Sequence, residues 1–556
     1  MVRDHVFSFT VKPLYAKPSD KSLFIGSRRI VLRDFQAAVY ERLSDRKPQA
    51  IFLKAPTGSG KTYVLLLFMF VGVYDGVVGI YPTRVLAKDQ YDTIFNVLES
   101  MAERVNVEEV LGVSEEEADR RLKEAEEEEL REGHYVRYPR LREFFTVWDV
   151  DAINPEGEKV KHKVLLMLVT SETVETLRVI LNKESKREVL SELKTKLFPR
   201  VTFRMIFTVP EYPYIFSELS YGEFEAEGEK LLRILRYFKD FLKVLASGHP
   251  LDGYIEELRR SVRRYMPLEV SRGSLREIAD IYAEFFRYPV FIDEFHLYTG
   301  LSEISLLTLL YFYACNPRAT RKIVFSSATH REKLLKLSRV ILELLGFEVI
   351  EVDTECGDEG PKEHLIRGKT KVFFHCVDTR PGFVGLLEAQ RYVPEVAASI
   401  VREDWSRKTM VILDRVKLVI DTCKRIHEEL SLIGKDREVR KCYVTSVRVP
   451  AEYCEPPALS SLKRGKYDIL VGNLAIAQGL DLKYVERGVI YAKDIEAFIQ
   501  RFGRISRGRE GEVHVVVDSG KYKLKEELKD RELSYNELIE LLAERKAFPE
   551  PADMSW

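Results

Sequence analysis

The chain has 556 residues, 45% hydrophobic and 31% charged, with 87 basic against 88 acidic side chains. This composition excludes a disordered or collagen-like chain, and the length exceeds what one hydrophobic core fills, so two or three domains are expected. A formal net charge of -1 gives no whole-molecule attraction for polyanions, which leaves any nucleic-acid contact to a local groove.

In chain order, the opening "MVRDHVFSFTVKPLY" lacks the basic-then-apolar pattern of a secretory leader. The longest apolar run, "VLLLFMFVGVY", is too short to span a bilayer, so a cytoplasmic location without membrane contact is expected. Short apolar runs then recur, each bounded by polar residues and followed by a helical pattern. "AIFLKAP", "GVVGIYPT", "LLMLVTS", "PVFIDE" and "KIVFSSAT" form a first group; "TMVILDR", "YDILVGN", "RGVIYA" and "EVHVVVD" form a second. The alternation predicts an α/β fold built on parallel sheets. Residues 350–370, rich in Gly, Pro and charge, are expected to link a first lobe at 1–349 to a second at 371–520, with a short helical tail at 521–556. The first lobe exceeds the roughly 250 residues usual for one domain. An insertion is therefore expected at about 110–285, read as helical from "SEEEADRRLKEAEEEELRE" and "EGEKLLRILRYFKDFLKVL". The acidic run reads as a solvated helix. The six cysteines contain no Cys-x-x-Cys pair, which predicts reduced thiols and no zinc site. Asn and Gln together number thirteen beside the high charged share, a skew that points to a hot environment.

Three stretches carry chemistry. In "APTGSGKT", residues 55–62, Gly58 and Gly60 let backbone N–H groups curl around phosphate oxygens, Lys61 reaches the terminal phosphates, and Thr62 can hold magnesium. ATP and magnesium are the ligands this predicts. In "FIDEFHLY", residues 291–298, two acids end an apolar strand. With a nucleotide site present, Asp293 is expected to hold the magnesium and Glu294 to take a proton from the water attacking the γ-phosphate. In "QRFGRISR", residues 500–507, Arg504 and Arg507 stand three apart, read as one helix face on which both guanidinium groups reach one phosphate.

The ordered set "LRDFQ", "APTGSGKT", "YPTRVLA", "DEFH", "SSAT", "GNLAIAQGLD" and "QRFGRISR" resembles superfamily 2 helicases of the DExH type across most of the chain. The resemblance implies two tandem RecA-like lobes and a nucleic-acid-dependent ATPase. It also implies roles at matching positions. Gln36 would read the adenine edge. His296, Ser327 and Thr329 would couple nucleotide state to grip, while Gly479, Asp481 and Gln500 would complete the nucleotide contacts. Thr83 and Arg84 would grip the nucleic-acid backbone; Thr170, Ser171 and Arg415 are further candidates.

A narrower resemblance rests on "FTVKPLYAKP", "DEFHLY" and "QGLDLKYVERGVIYAKDIEAFIQRFGRISRG". These are similar to the helicase subunit of CRISPR type I interference nuclease-helicases in the stand-alone archaeal form. Larger members carry an HD nuclease domain ahead of the helicase. Here none of the ten histidines is followed by Asp, and only 35 residues precede Gln36, so the resemblance implies as partners a separate HD-type nuclease, an RNA-guided recognition complex and single-stranded DNA. The resemblance implies 3′ to 5′ movement. The alternatives are an RNA helicase or a repair DNA helicase on the same motor, and an ATP-gated nucleic-acid clamp that does not unwind.

Overall fold

The computed structural model describes residues 5–210, 287–298, parts of 302–313, and 319–548 with breaks at 329–331, 381–382, 446–451, 458–460, 463–464 and within 474–483. The chain divides into two compact units: a larger one of residues 19–54 and 61–353, and a smaller one of residues 1–18, 55–60 and 354–556.

The larger unit is built on one long sheet. Its strands run Glu348–Asp353, Gln49–Lys54, Lys322–Ser327, Val290–Ile292, Gly76–Ile80, Phe203–Thr208 and Lys159–Leu168, every neighbouring pair parallel. An antiparallel ribbon then extends the sheet through Phe145–Ile153 and Pro18–Ile25 to Arg28–Arg33. The central strands read as unbroken apolar runs because a parallel sheet is covered on both faces; Ile51, Phe52 and Leu53 are fully buried. The apolar run after the phosphate loop is the helix Val64–Phe70, and all seven residues are buried. No helix among the described residues is long and apolar enough to cross a membrane.

The smaller unit repeats the parallel plan. Lys441–Val444, Ile469–Gly472, Thr409–Ile412, Arg487–Tyr491, Gly511–Asp518 and Thr370–Val377 are parallel neighbours. Two apolar clusters cover the sheet, one gathering residues from the helices Ile495–Phe502 and Tyr535–Glu544, the other from Val393–Glu403 and Val416–Leu432. The fold is therefore α/β, with two parallel-sheet lobes.

Particular elements depart from the sequence reading. The strand Val6–Val11 pairs antiparallel with Thr370–Val377, so the first residues build the smaller unit, not the first lobe. Glu532–Leu533 pairs with Val6–Val11, and Leu538, Leu542 and Phe548 enter the same core, so the expected tail is an integral layer. The expected linker begins as a sheet strand and continues into a three-stranded sheet of Cys356–Gly357, Leu14–Ala16 and Leu365–Arg367. The described part of the insertion is not simply helical: three of its strands lie in the main sheet, where "VLLML" is buried like any central strand. The apolar stripes read at 226–287 fall almost wholly outside the described residues. The acidic run is a helix, Glu115–Arg131, which buries Ala118 and Leu122 and pairs Glu117 with Arg120 and Arg121 on its wet face. Cys423 and Cys454 are joined as a disulfide with Cα atoms 5.8 Å apart, against the expectation of thiols throughout. Helix and loop bring together cysteines 31 residues apart, a proximity that spacing alone does not reveal.

Candidate active site

The phosphate loop leaves the end of Gln49–Lys54 and turns tightly, with the Ser59 N–H donating to the Pro56 carbonyl at 3.1 Å. Gly58 and Gly60 adopt φ of +85° and +83°, conformations that a side chain would strain. Both N–H-bearing turns precede a short 3-10 turn, Lys61–Tyr63, and then the buried helix. The Thr62 hydroxyl donates to the Gln90 side chain.

Val290–Ile292 lies between Lys322–Ser327 and Gly76–Ile80, and its C-terminal end delivers the acids. Asp293, Glu294 and His296 are 3%, 7% and 3% exposed, and Lys61 is 6% exposed, so this is a buried charge cluster and not a wet strand end. The Glu294 N–H donates to Asp293 Oδ1 at 2.9 Å. Burial, and next the charge of Glu294, push the Asp293 carboxyl well above the ordinary carboxylate range, against the opposing charge of Lys61. His296 Nδ1 stands 2.5 Å from Ser327 Oγ and 3.6 Å from Glu294 Oε2, which joins the acid to the neighbouring strand. Glu294 has φ +47°, a left-handed conformation uncommon outside glycine, and such strain concentrates at functional positions.

Three residues of this site were not found by sequence reasoning. Gln90 holds Thr62 from the helix Arg84–Glu99, and the buried Ser326, beside Asp293 on the neighbouring strand, slightly lowers the Asp293 pKa. The third, Tyr81, is fully buried, and its hydroxyl pKa is raised by burial and then by the charge of Asp293. Only "YPTR" hinted at Tyr81, and it drew attention to Thr83 and Arg84 instead.

Gln36 is buried, and its Oε1 accepts the Arg33 N–H at 2.9 Å, so the group expected to read adenine also caps its own helix, Asp34–Ser44. Gln500 lies on Ile495–Phe502. Gly479, Asp481 and Thr329 lie outside the described residues.

The arginines are not arranged as the spacing suggested. The helix ends at Phe502, and Gly503 caps it, so Arg504 and Arg507 stand in the following turn and share no helix face. Ser506 at φ +58° reverses the backbone between them. Arg507 Nε donates to the Gly503 carbonyl at 3.0 Å. Arg501, inside the helix, is buried and bound to Asp414 and the Tyr491 carbonyl. Residues 55–60 share the compact unit of this turn, where a Cβ on Gly58 would lie 3.6 Å from both Arg507 Nε and Ile366 Cγ2.

The nucleic-acid candidates all fall at helix N-termini, where free N–H groups and the helix dipole favour phosphate. Thr83 caps Arg84–Glu99 by accepting the Leu86 N–H at 3.2 Å, and Arg84 is exposed. Thr170 is buried and spent on capping Ser171–Ile180, while Ser171 accepts from Lys186 at 3.1 Å. Arg415 precedes Val416–Leu432.

Residues 33–133 match the model of the DEAD/DEAH box helicase family. That stretch holds Gln36, the phosphate loop, Thr83 and Arg84. Among curated relatives, UvrABC system protein B of Tropheryma whipplei (strain TW08/27) is 35% identical over 120 residues, 20% of this chain and 17% of the relative. The same protein from Staphylococcus aureus (strain N315) is 31% identical over 127 residues, 21% of this chain and 19% of the relative. The chain thus matches under a fifth of the length of each of these two relatives. Among solved structures, the DEAD-box helicase Mss116 bound to ssRNA and UDP-BeF is 14% identical, covering 94% of this chain and 79% of that one, with a TM-score of 0.49. The Mycobacterium smegmatis helicase Lhr bound to ssDNA and AMP-PNP is 13% identical, covering 93% and 52%, with a TM-score of 0.45.

Proposed function

We propose that this chain is an ATP-dependent nucleic-acid helicase of the DExH type. The observation that carries this reading is the buried Asp293–Glu294 pair at a central strand end, with Lys61 acting on Asp293 and His296 beside both Glu294 and Ser327. Surplus buried negative charge calls for a cation, and a donor set of the Thr62 hydroxyl and the Asp293 carboxylate suits magnesium. Magnesium, when bound, supplies positive charge to the phosphate oxygens.

The chain's own residues do the rest. Gly58 and Gly60 shape a backbone cradle for the phosphates of ATP, and Lys61 holds the terminal ones. Glu294 takes a proton from the attacking water, and Arg504 and Arg507 offset the charge that builds up in the transition state. His296 and Ser327 carry the state of Glu294 to the next strand and, with Thr329, to nucleic-acid grip. Gln36 serves the adenine edge, and Gly479, Asp481 and Gln500 the remaining nucleotide contacts. Thr83 and Arg84 hold backbone phosphate, with Ser171 and Arg415 as secondary contacts and Thr170 acting through its cap. Hydrolysis then shifts the population between a gripping and a releasing state.

The finer reading is movement along single-stranded DNA from 3′ to 5′ in CRISPR type I interference, beside a separate HD-type nuclease and an RNA-guided recognition complex. It is supported by the "DEFHLY" form of the acidic box and by the motif order.

ATP turnover measured with single-stranded DNA and with single-stranded RNA, beside strand displacement on 3′- and 5′-tailed duplexes, tests these levels separately. Stimulation by DNA and displacement from a 3′ tail are expected. Stimulation by RNA alone would replace the DNA reading, and stimulation without displacement on any duplex would leave a clamp. A Lys61→Ala protein turning over ATP at the parental rate would remove the motor altogether. DNA degradation that needs no added nuclease would end the separate-nuclease reading.

A further inference from the structure

Within the smaller unit one arginine is held in an unusual setting. Arg367 ends the strand Leu365–Arg367 and is 3% exposed. Its guanidinium carbon lies 4.2 Å from the Phe502 ring centre and 4.4 Å from that of Tyr535. Those two rings are parallel within 5° with centres 6.4 Å apart, a slot in which the guanidinium carbon sits within cation–π range of both rings and to one side of the line joining their centres. Among the described residues, Nε and Nη2 of Arg367 have no hydrogen-bond acceptor, and a side-chain hydrogen bond with Tyr535 joins the ring contacts that hold the group there.

The slot joins three parts of the chain. Phe502 is the last residue of the helix before the arginine turn, and Tyr535 opens the C-terminal helix Tyr535–Glu544. Arg367 itself forms a backbone bridge with Arg507. The following residues lock the same turn: the Gly368 N–H donates to the Ser506 carbonyl at 2.9 Å, and the Gly511 N–H to the Lys369 carbonyl at 3.2 Å. A Cβ on Gly368 would come within 2.1 Å of the Arg509 carbonyl oxygen, so the two backbones touch. The stack thus sits where it fixes both the entry to the turn and the backbone of Arg507.

We propose that Arg367, clamped between Phe502 and Tyr535, is a positioning residue that sets Arg507 for phosphoryl chemistry, and that the C-terminal helix belongs to the catalytic scaffold through Tyr535. This rests on the finger role proposed above for Arg507. Burial lowers the Arg367 pKa to about 10, which still leaves the group charged at neutral pH, and that charge is what the two ring faces attract. The clamp adds to the backbone bonds that hold this turn beyond the helix end, and a misplacement of about 1 Å can cost on the order of 100-fold in rate.

The test uses the full chain, assayed well below its melting temperature with saturating single-stranded DNA. Arg367→Lys keeps the charge but cannot stack as a plane in the slot. Its kcat is expected to fall by roughly 10- to 100-fold with the KM for ATP nearly unchanged. Tyr535→Leu removes one of the two rings and should lower kcat in the same way, with the KM for ATP nearly unchanged. If Arg367 acts through Arg507, adding Arg367→Lys to Arg507→Ala should cost nothing further. A parental kcat in Arg367→Lys, or losses that multiply in the double variant, would overturn the positioning role. Should Arg367→Lys not fold, Tyr535→Leu decides the same point, because a parental kcat in that variant would refute the clamp. If Arg507→Ala itself kept the parental kcat, the finger assignment would fall, and this proposal with it.

Discussion

The two units are built on the same parallel-sheet plan and place opposite charges at their candidate sites. In the larger unit, two acids and a lysine are buried at a strand end and set one another's charge. In the smaller unit, the first arginine of "QRFGRISR" is consumed by Asp414, and the remaining two stand on a turn fixed by backbone bonds and a stacked arginine. The first site depends on electrostatic balance, so removing one charge should alter its neighbours. The second depends on geometry, so displacing the backbone should matter as much as removing a guanidinium.

The largest effect should come from the larger unit. Lys61→Ala and Glu294→Gln should each lower ATP turnover by roughly 10³-fold or more, because one removes phosphate neutralisation and the other the proton acceptor. Only Glu294→Gln should also raise stability, by about 1 kcal/mol, since it ends the repulsion that, after burial, lifts the Asp293 carboxyl. Steady-state turnover and thermal unfolding without magnesium check both parts. An unchanged or lowered melting temperature in Glu294→Gln would mean that the two acids are not in balance.

Next, the three arginines of one motif should separate. Arg504→Ala and Arg507→Ala should lower kcat by on the order of 10³-fold with little change in ATP affinity. Arg501→Ala should instead cost about 3 kcal/mol of stability, because it strips Asp414 of a buried partner. A kinetic loss at Arg501 with unchanged unfolding would reverse the assignment.

That separation also marks the limit of what the sequence made legible. The strands around the acids were readable because central parallel strands are continuous apolar runs, and the phosphate loop because its glycines need φ above zero. The smaller unit hid its first strand, "VFSFTV", whose burial alternates and whose partner Thr370–Val377 lies some 360 residues away. Pairing at that distance leaves no local signal. The arginine turn was misread for a related reason: three-residue spacing says nothing about a helix that stops at Gly503, and the φ of Ser506 is set by the packing of Gly511 and Gly368. Gln90 and Tyr81 belong to the site through tertiary contacts alone.

The units should also answer pH in opposite senses. His375 and His514 face each other at 2.9 Å in the smaller unit. Burial, and then His514, lower the His375 pKa to about 3; burial lowers His514 too, with Glu512 opposing. The His375 ring is therefore neutral in the folded protein. As pH falls below about 6.5 the unfolded chain gains a proton at His375 that the fold refuses, which costs up to roughly 2 kcal/mol by pH 5. The raised Asp293 carboxyl works the other way: without a cation, the larger unit loses stability as pH rises from the ordinary carboxylate range toward neutrality. Hydrogen exchange at pH 5 and pH 7 should show Arg487–Tyr491 less protected at pH 5 and Val290–Ile292 less protected at pH 7. Parallel trends in the two strands would refute the contrast.

The smallest effect distinguishes a cap from a grip. Thr83 accepts the Leu86 N–H and so satisfies one of the free donors at the start of Arg84–Glu99, whereas Arg84 points a mobile charge from an exposed position. Thr83→Ala should cost about 1 kcal/mol of stability and also weaken nucleic-acid binding, because the helix end that receives a phosphate would fray. Arg84→Ala should leave unfolding unchanged and reduce the salt dependence of binding by about one counterion. Titrating single-stranded DNA at several salt concentrations, with melting curves beside it, reads both quantities on the same two variants. If Thr83→Ala weakened binding with no loss of stability, its hydroxyl would be a direct phosphate contact and the cap incidental. An unchanged salt slope in Arg84→Ala would move the grip of the larger unit away from this helix, leaving Ser171 at the start of Ser171–Ile180 as its next candidate.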